Sequence, residues 1–157
     1  MNAQAELAFT KAEITGQLKK SRINILYGVL TMAVGIALGH MGMPFGISFM
    51  NAGLAVVMST VLNEMYARRT LSRYADDATI SGKELSNIMQ KSSKASRAIG
   101  LIAGASAAFV GLNHGLAIAK LVYIVLGGST VIFVPGLLAS RTENALVKSK
   151  LISSPNS

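Results

Sequence analysis

A chain of 157 residues has the length of one ordinary domain, yet 51% of it is apolar, only 14% is charged and its mean hydropathy is +0.47, which excludes most soluble classes. The formal charge of +8 would suit a nucleic-acid binder, but the cations are bunched in a way that argues against one. With no cysteine, disulfides, thiolate chemistry and iron–sulfur clusters are excluded.

Residues 1–22 carry Leu7, Lys11, Ile14 and Leu18 at helical spacing and read as a cytoplasmic amphipathic helix. From Ile23 to Asn63 there follow 41 residues without Asp, Glu, Lys or Arg, where one membrane-spanning helix needs about 20. The run predicts a transmembrane hairpin over 23–66. Its first span, Ile23–Leu38, presents Gly28, Gly35 and Gly39, small residues that let a neighbouring helix approach closely. The stretch VGIALGHMGMPFG, Val34–Gly46, is its outer turn, with His40 the one ionisable side chain. Pro44 can open the second span, Phe45–Leu62, which continues as a helix through Tyr74. Lys19, Lys20 and Arg22 ahead of an apolar run, with small residues around Leu38, also fit a cleaved leader. The long polar stretch before them favours an uncleaved span.

The segment 67–97 is a cytoplasmic helical loop. Glu64, just before it, pairs with Arg68 one helical turn on. Ala67, Leu71 and Tyr74 extend an apolar stripe that DDATIS interrupts. Ser81-Gly82-Lys83-Glu84 then matches a capping box, opening a helix whose apolar face is Leu85, Ile88 and Met89. Arg68, Arg69, Arg73, Lys83, Lys91, Lys94 and Arg97 make this loop a basic surface.

A second hairpin is predicted over 98–140, from uncharged runs of 22 residues (Ala98–Ala119) and 20 residues (Leu121–Ser140). Gly100, Gly104, Gly111 and Gly115 are its packing positions, and Pro135 predicts a kink in the last span. Lys120 lies near the outer end of that span, where its stem reaches the interface. Residues 141–157 form a cytoplasmic tail. Of the 15 Lys and Arg, 14 fall in 11–22, 68–97 and 141–150, and none in either outer turn. That is the positive-inside pattern of a bacterial inner-membrane protein with both termini cytoplasmic.

The expected fold is therefore all-α, with four transmembrane helices as two tandem hairpins plus cytoplasmic N-terminal and central helices. The hairpins look duplicated. Lys-x-Ser-Arg precedes each, at Lys19–Arg22 and Lys94–Arg97, and His40 beside Gly39 is echoed by His114 beside Gly115. Ser-Thr-Val recurs at Ser59–Val61 and Ser129–Val131, and Ala67-Arg68-Arg69-Thr70 resembles Ala139-Ser140-Arg141-Thr142. Two spans per unit make the repeat parallel, about an axis along the membrane normal.

Candidate chemistry is sparse. The spans hold no carboxylate, which argues against proton-coupled transport. His40 and His114 lack the third ligand a metal site needs, and read as turn residues unless the two tips meet. Ser129 and His114 lie 15 residues apart, about 22 Å along a straight helix, too far for a catalytic pair. No cofactor motif is present. The expected partners are the lipid bilayer and other membrane proteins or a second copy, not nucleic acid. The expected function is non-enzymatic: a subunit or accessory of a conjugation or secretion complex, or an exclusion or immunity protein. A small channel or transporter lined by Asn51, Ser59, Thr60, Ser129 and Thr130 is the alternative, and a holin-like lesion former a weaker one.

Overall fold

A computed structural model describes residues 7–113 and 118–153 and, within them, the side chains of 7–102, 130 and 132–152. The chain is mostly helical. In order it forms β1 (Ala8–Thr10), α1 (Lys11–Ser21), α2 (Ile23–His40), α3 (Gly46–Leu71), β2 (Thr79–Ser81), α4 (Gly82–Asn113) and α5 (Ile118–Ser153). The central element is α3, which packs against α2, α4 and α5.

Two helical stretches are long and apolar enough to cross a membrane: Lys11–His40, 30 residues with a turn at Arg22, and Gly46–Leu71, 26 residues. Only 11% and 33% of their most apolar windows is buried inside the molecule. A core helix of a water-soluble domain hides its apolar face, whereas here Leu26, Leu30, Val34, Phe49 and Leu54 are exposed.

The side-chain core lies instead beyond the apolar segments, in a head built from six elements. Phe9 (β1), Ile14 and Leu18 (α1), Ala67 and Leu71 (α3), Ile80 (β2), Leu85, Ile88 and Met89 (α4), and Ala139 and Leu146 (α5) form one buried cluster. The two strands pair antiparallel, with Phe9 opposite Ile80. Only that middle pair points inward, as the two-residue period of a strand dictates.

The strands correct the reading of 1–22 as one helix. Residues 8–10 are extended, and the helix begins at Lys11 because Thr10 caps it. The Thr10 hydroxyl accepts from the Glu13 N–H, and the Glu13 carboxylate accepts from the Thr10 N–H at 2.7 Å. In β2 the Ser81 hydroxyl accepts from the Glu84 N–H at 3.3 Å, the capping contact expected there. The Glu84 carboxylate is taken by the Tyr74 hydroxyl, which donates to it.

Two further boundaries differ from expectation. The second long helix stops at Leu71 rather than Tyr74, where the N–H groups of Ser72, Arg73 and Tyr74 turn back onto its last carbonyls. Residues 141–153 are not a tail but the end of α5, with Thr142 and Leu146 buried. Ala139, Thr142 and Leu146 stand three and four residues apart, so one face of α5 continues into the head. Pro135 sits inside that helix without ending it.

The turn after α2 is a Schellman motif. The Met43 N–H donates to the Leu38 carbonyl and the Gly42 N–H to that of Gly39. Gly42 takes the required left-handed conformation, φ +75°.

Candidate functional site

The seam between α2 and α3 is a backbone contact. A Cβ on Gly28 would stand 2.6 Å from Val57 Cγ2 and 2.8 Å from the Gly53 carbonyl oxygen; one on Gly35 would stand 2.6 Å from the Met50 nitrogen. From the other side, a Cβ on Gly46 would meet the Gly35 carbonyl at 2.5 Å, and one on Gly53 would meet the Gly28 carbonyl and Met32. Gly28 and Gly35 are seven residues apart, as are Gly46 and Gly53, so each pair falls on one face two turns apart. Gly39 has open space where its own side chain would be, which corrects its reading as a packing position: the close approach to its backbone depends on Gly46 having no side chain.

Below that seam, at the border of the apolar segment, a carboxylate is held by two arginines. Arg22 grips Glu64 bidentately, Nε to Oε2 at 2.8 Å and Nη2 to Oε1 at 2.7 Å, while Arg68 Nε donates to Oε1 at 2.7 Å. The Glu64 side chain is 8% exposed, against 55% and 37% for Arg22 and Arg68. Desolvating the acid is tolerated because both partners satisfy it with charge-assisted bonds. The predicted Glu64–Arg68 pair is thus present, and Arg22 is a partner that sequence spacing could not supply from 42 residues away.

A layer of small polar side chains continues inward from Glu64. Ser59, Thr60 and Asn63 on α3, Ser92, Ser93 and Ser96 on α4, and Thr142 on α5 are all buried. Thr60 and Thr142 donate to the carbonyls of Val56 and Leu138 in their own helices, so neither offers its proton across the bundle. The Asn63 amide crosses to the Pro135 carbonyl at 3.3 Å. A gap of about 10 Å³ beside Asn24, Thr60, Asn63 and Thr142 has room for about one water molecule.

Arg97 corrects the reading of 68–97 as uniformly surface. Its guanidinium lies against Gly136 of α5, where a side chain would collide with it, and its Nε is buried without a partner. The expected exit motifs, 67–70 and 139–142, align Glu64 with Gly136. The arginine of each Ser-Arg motif therefore reaches the matching position of a helix, and finds an acid on α3 and a glycine on α5.

Most of the other cations of that basic stretch differ from Arg97 in exposure. Arg69, Arg73, Lys83, Lys91 and Lys94 are exposed, while Arg68 is half-buried on Glu64. His40 is exposed in the last turn of α2. Gly100 is half-buried in α4. Gly104 and Gly111 lie in α4, and Lys120 and Ser129 in α5, but their surroundings are outside the described residues, as are His114 and Gly115 altogether. Among the described residues no three His, Asp or Glu side chains come together as a metal site.

In the head, three titrations are shifted by contacts. Glu13 is held below its usual range by the Thr10 backbone N–H and by Lys150 at 2.9 Å. Asp76 is lowered by Lys11 at 2.7 Å, and the Tyr74 phenol is raised by its hydrogen bond to Glu84. These contacts tie distant parts of the chain together: Lys150 of α5 reaches Glu13 on α1, and Lys11 also donates to the Tyr74 carbonyl.

Sequence reasoning passed over Gly46, Gly53, Gly136, Arg22 and Asn63. The seven-residue glycine spacing of 46–53 was available as a signal for two of them, since it repeats that of 28–35. No protein-family model, curated protein or solved structure matches this chain.

Proposed function

We propose that the chain is a non-enzymatic protein of the bacterial inner membrane that acts by contact with other proteins. In this reading it crosses the membrane four times as two tandem hairpins, with both termini and the head in the cytoplasm. The observation that carries the reading is the division of the molecule. Apolar side chains of α2 and α3 point outward as in lipid, while Arg69, Arg73, Lys83, Lys91 and Lys94 stand exposed on a packed head. A rigid cationic platform beside a membrane suits an acidic face of a partner, as in a membrane subunit or accessory of a conjugation or secretion complex, or an exclusion or immunity protein. Gly28 and Gly35 are occupied by the chain's own α3, so the platform, rather than the glycine seam, is where a partner docks.

Two measurements test this. Single cysteines at Met41 and Asn87 should react with an impermeant thiol reagent from outside for Met41 and only after permeabilisation for Asn87; outside labelling of Asn87 would overturn the topology. The combined variant Arg69→Glu, Arg73→Glu, Lys83→Glu should insert normally yet lose the proteins that co-purify with the wild type in mild detergent. Unchanged co-purification would remove the platform from the reading.

A further inference from the structure

Between α3 and α4 an open groove of about 440 Å³ runs across the border of the apolar segment. Its α3 wall is Leu62, Met65, Tyr66 and Arg69, at positions i, i+3, i+4 and i+7 of one helix face. Ala95, Ser96 and Ile99 form the α4 wall, and Arg68 also lines the groove. The polarity is graded. Leu62 lies within the uncharged run ending at Asn63 and Ile99 within the one starting at Ala98, while Arg68 and Arg69 lie beyond the first run.

Two of the lining side chains each bury a polar atom without a partner behind the groove wall: Nη2 of Arg68 and the hydroxyl of Ser96. Buried donors left open are costly, and a side-chain rotation that turned them into the groove would bring them to an acceptor there. The local charge fixes its sign. Glu64 neutralises one of the two arginines it holds, and Arg69 adds a further positive charge on the groove wall. A ligand that is anionic at one end and apolar at the other reproduces the gradient of the walls.

From this geometry we propose that the groove is a binding site for an anionic phospholipid of the cytoplasmic leaflet. Its phosphate takes hydrogen bonds from Arg69 and, once they turn out of the wall, from Arg68 Nη2 and the Ser96 hydroxyl. An acyl chain lies along Leu62, Met65 and Ile99. Arginine suits the role because its planar fork matches phosphate oxygens. The site goes beyond a general attraction of basic residues to the leaflet, since it predicts stoichiometric retention and a dependence on particular side chains. It rests on the membrane placement proposed above, but not on any protein partner.

The test uses the full chain in nonionic detergent micelles containing equal mole fractions of phosphatidylglycerol and phosphatidylcholine, with retained lipid read by native mass spectrometry. One phosphatidylglycerol per chain should be retained in preference to phosphatidylcholine. Arg69→Gln, which leaves the Glu64 pairs intact, should lower retention about fivefold. Ala95→Phe should abolish it by filling the groove while every charge remains. Lys91→Gln with Lys94→Gln removes two exposed charges from the same helix and should change retention little. Equal retention of both lipids would overturn the site. So would equal losses from Arg69→Gln and the lysine pair, because the attraction would then be diffuse. Wild-type retention in Ala95→Phe, or retention of an acidic polypeptide there in place of lipid, would overturn it as well.

Discussion

The head and the α2–α3 hairpin solve the packing problem in opposite ways. In the head, Phe9, Ile14, Leu71, Ile80 and Leu85 are at most 1% exposed, and charged residues such as Asp76, Lys83 and Lys91 face outward. In the hairpin the buried positions where α2 meets α3 are Gly28, Gly35, Gly46 and Gly53. The other buried positions of its apolar part are small or polar, such as Ala55, Ser59 and Thr60, and large apolar side chains such as Leu26, Leu30, Phe49 and Leu54 face outward. Water drives the first arrangement, because burying side chains there removes apolar area from solvent. Between apolar helices in lipid that gain is absent, and close backbone approach takes its place through van der Waals contact. Volume lost should therefore damage the head, and volume added should damage the hairpin.

The sharpest break is Phe9→Ala. It removes the aromatic ring that fills the head from β1, and should cost about 3–5 kcal/mol. Hydrogen exchange in detergent should show α1, β2 and the start of α4 losing protection while the α2–α3 seam keeps its own. Equal loss in both regions would mean that they fold as one unit and that the contrast is only geometric.

Next comes Gly53→Ala, which places a methyl group against the Gly28 carbonyl and the Met32 backbone nitrogen. Neither is the free end of a flexible chain, so the helices must separate, at about 1–3 kcal/mol. A lowered unfolding midpoint in a denaturing-detergent titration checks it. Gly39→Ala, with nothing within 4 Å of the added carbon, is the control that should stay near wild type.

What could be read from the sequence follows the same division. The uncharged run 23–63 shows as two helices because a single property, the absence of charge over 41 residues, carries the information. The Schellman turn was legible as a turn through its glycines and Pro44, although nothing in the sequence singled out Gly42 among them as the left-handed residue. The Ser81–Glu84 box was legible as a helix start because capping is local. The same grammar at Thr10–Glu13 was obscured by Leu7, Lys11, Ile14 and Leu18, whose helical spacing runs straight through the cap. Pairings that span the chain were not legible: Phe9 with Ile80, Arg22 with Glu64, and Arg97 with Gly136 depend on how helices dock, which no local period records. Thr142 and Leu146 were hidden by a charged surrounding that made the end of α5 resemble a tail.

A smaller effect separates the regions by pH. The folded-state lowering of Glu13 and Asp76 means that their ion pairs with Lys150 and Lys11 contribute stability above the ordinary carboxylate values of 4.5 and 3.8. That contribution is lost as pH falls through the lowered folded values, when the unfolded chain already binds the protons. Both carboxylates lie in the head, so acid should first loosen the contacts of α1 with α5 and with the loop between α3 and β2. Comparing the exchange of α1 amides with that of α3 amides across the acid limb would reveal it; parallel loss in both would contradict the assignment.

The smallest effect has the opposite sign. Gly16 is exposed in the middle of α1, and a carbon added there meets nothing within 4 Å. Its helical backbone suits alanine, and glycine in a helix interior costs about 0.8–1 kcal/mol relative to it. Gly16→Ala should therefore raise the unfolding midpoint of the head slightly, chiefly by restricting the unfolded chain. Set beside Gly53→Ala, this is the same chemical change, one added methyl group on a helical glycine, with opposite outcomes. The difference cannot come from helix propensity, which is common to both sites. It comes from what stands opposite: solvent at Gly16, and the backbone of another helix at Gly53. If both variants shifted in the same direction, the glycines of the hairpin would be incidental to its packing, and the division between a head that packs side chains and a hairpin that packs backbones would fail.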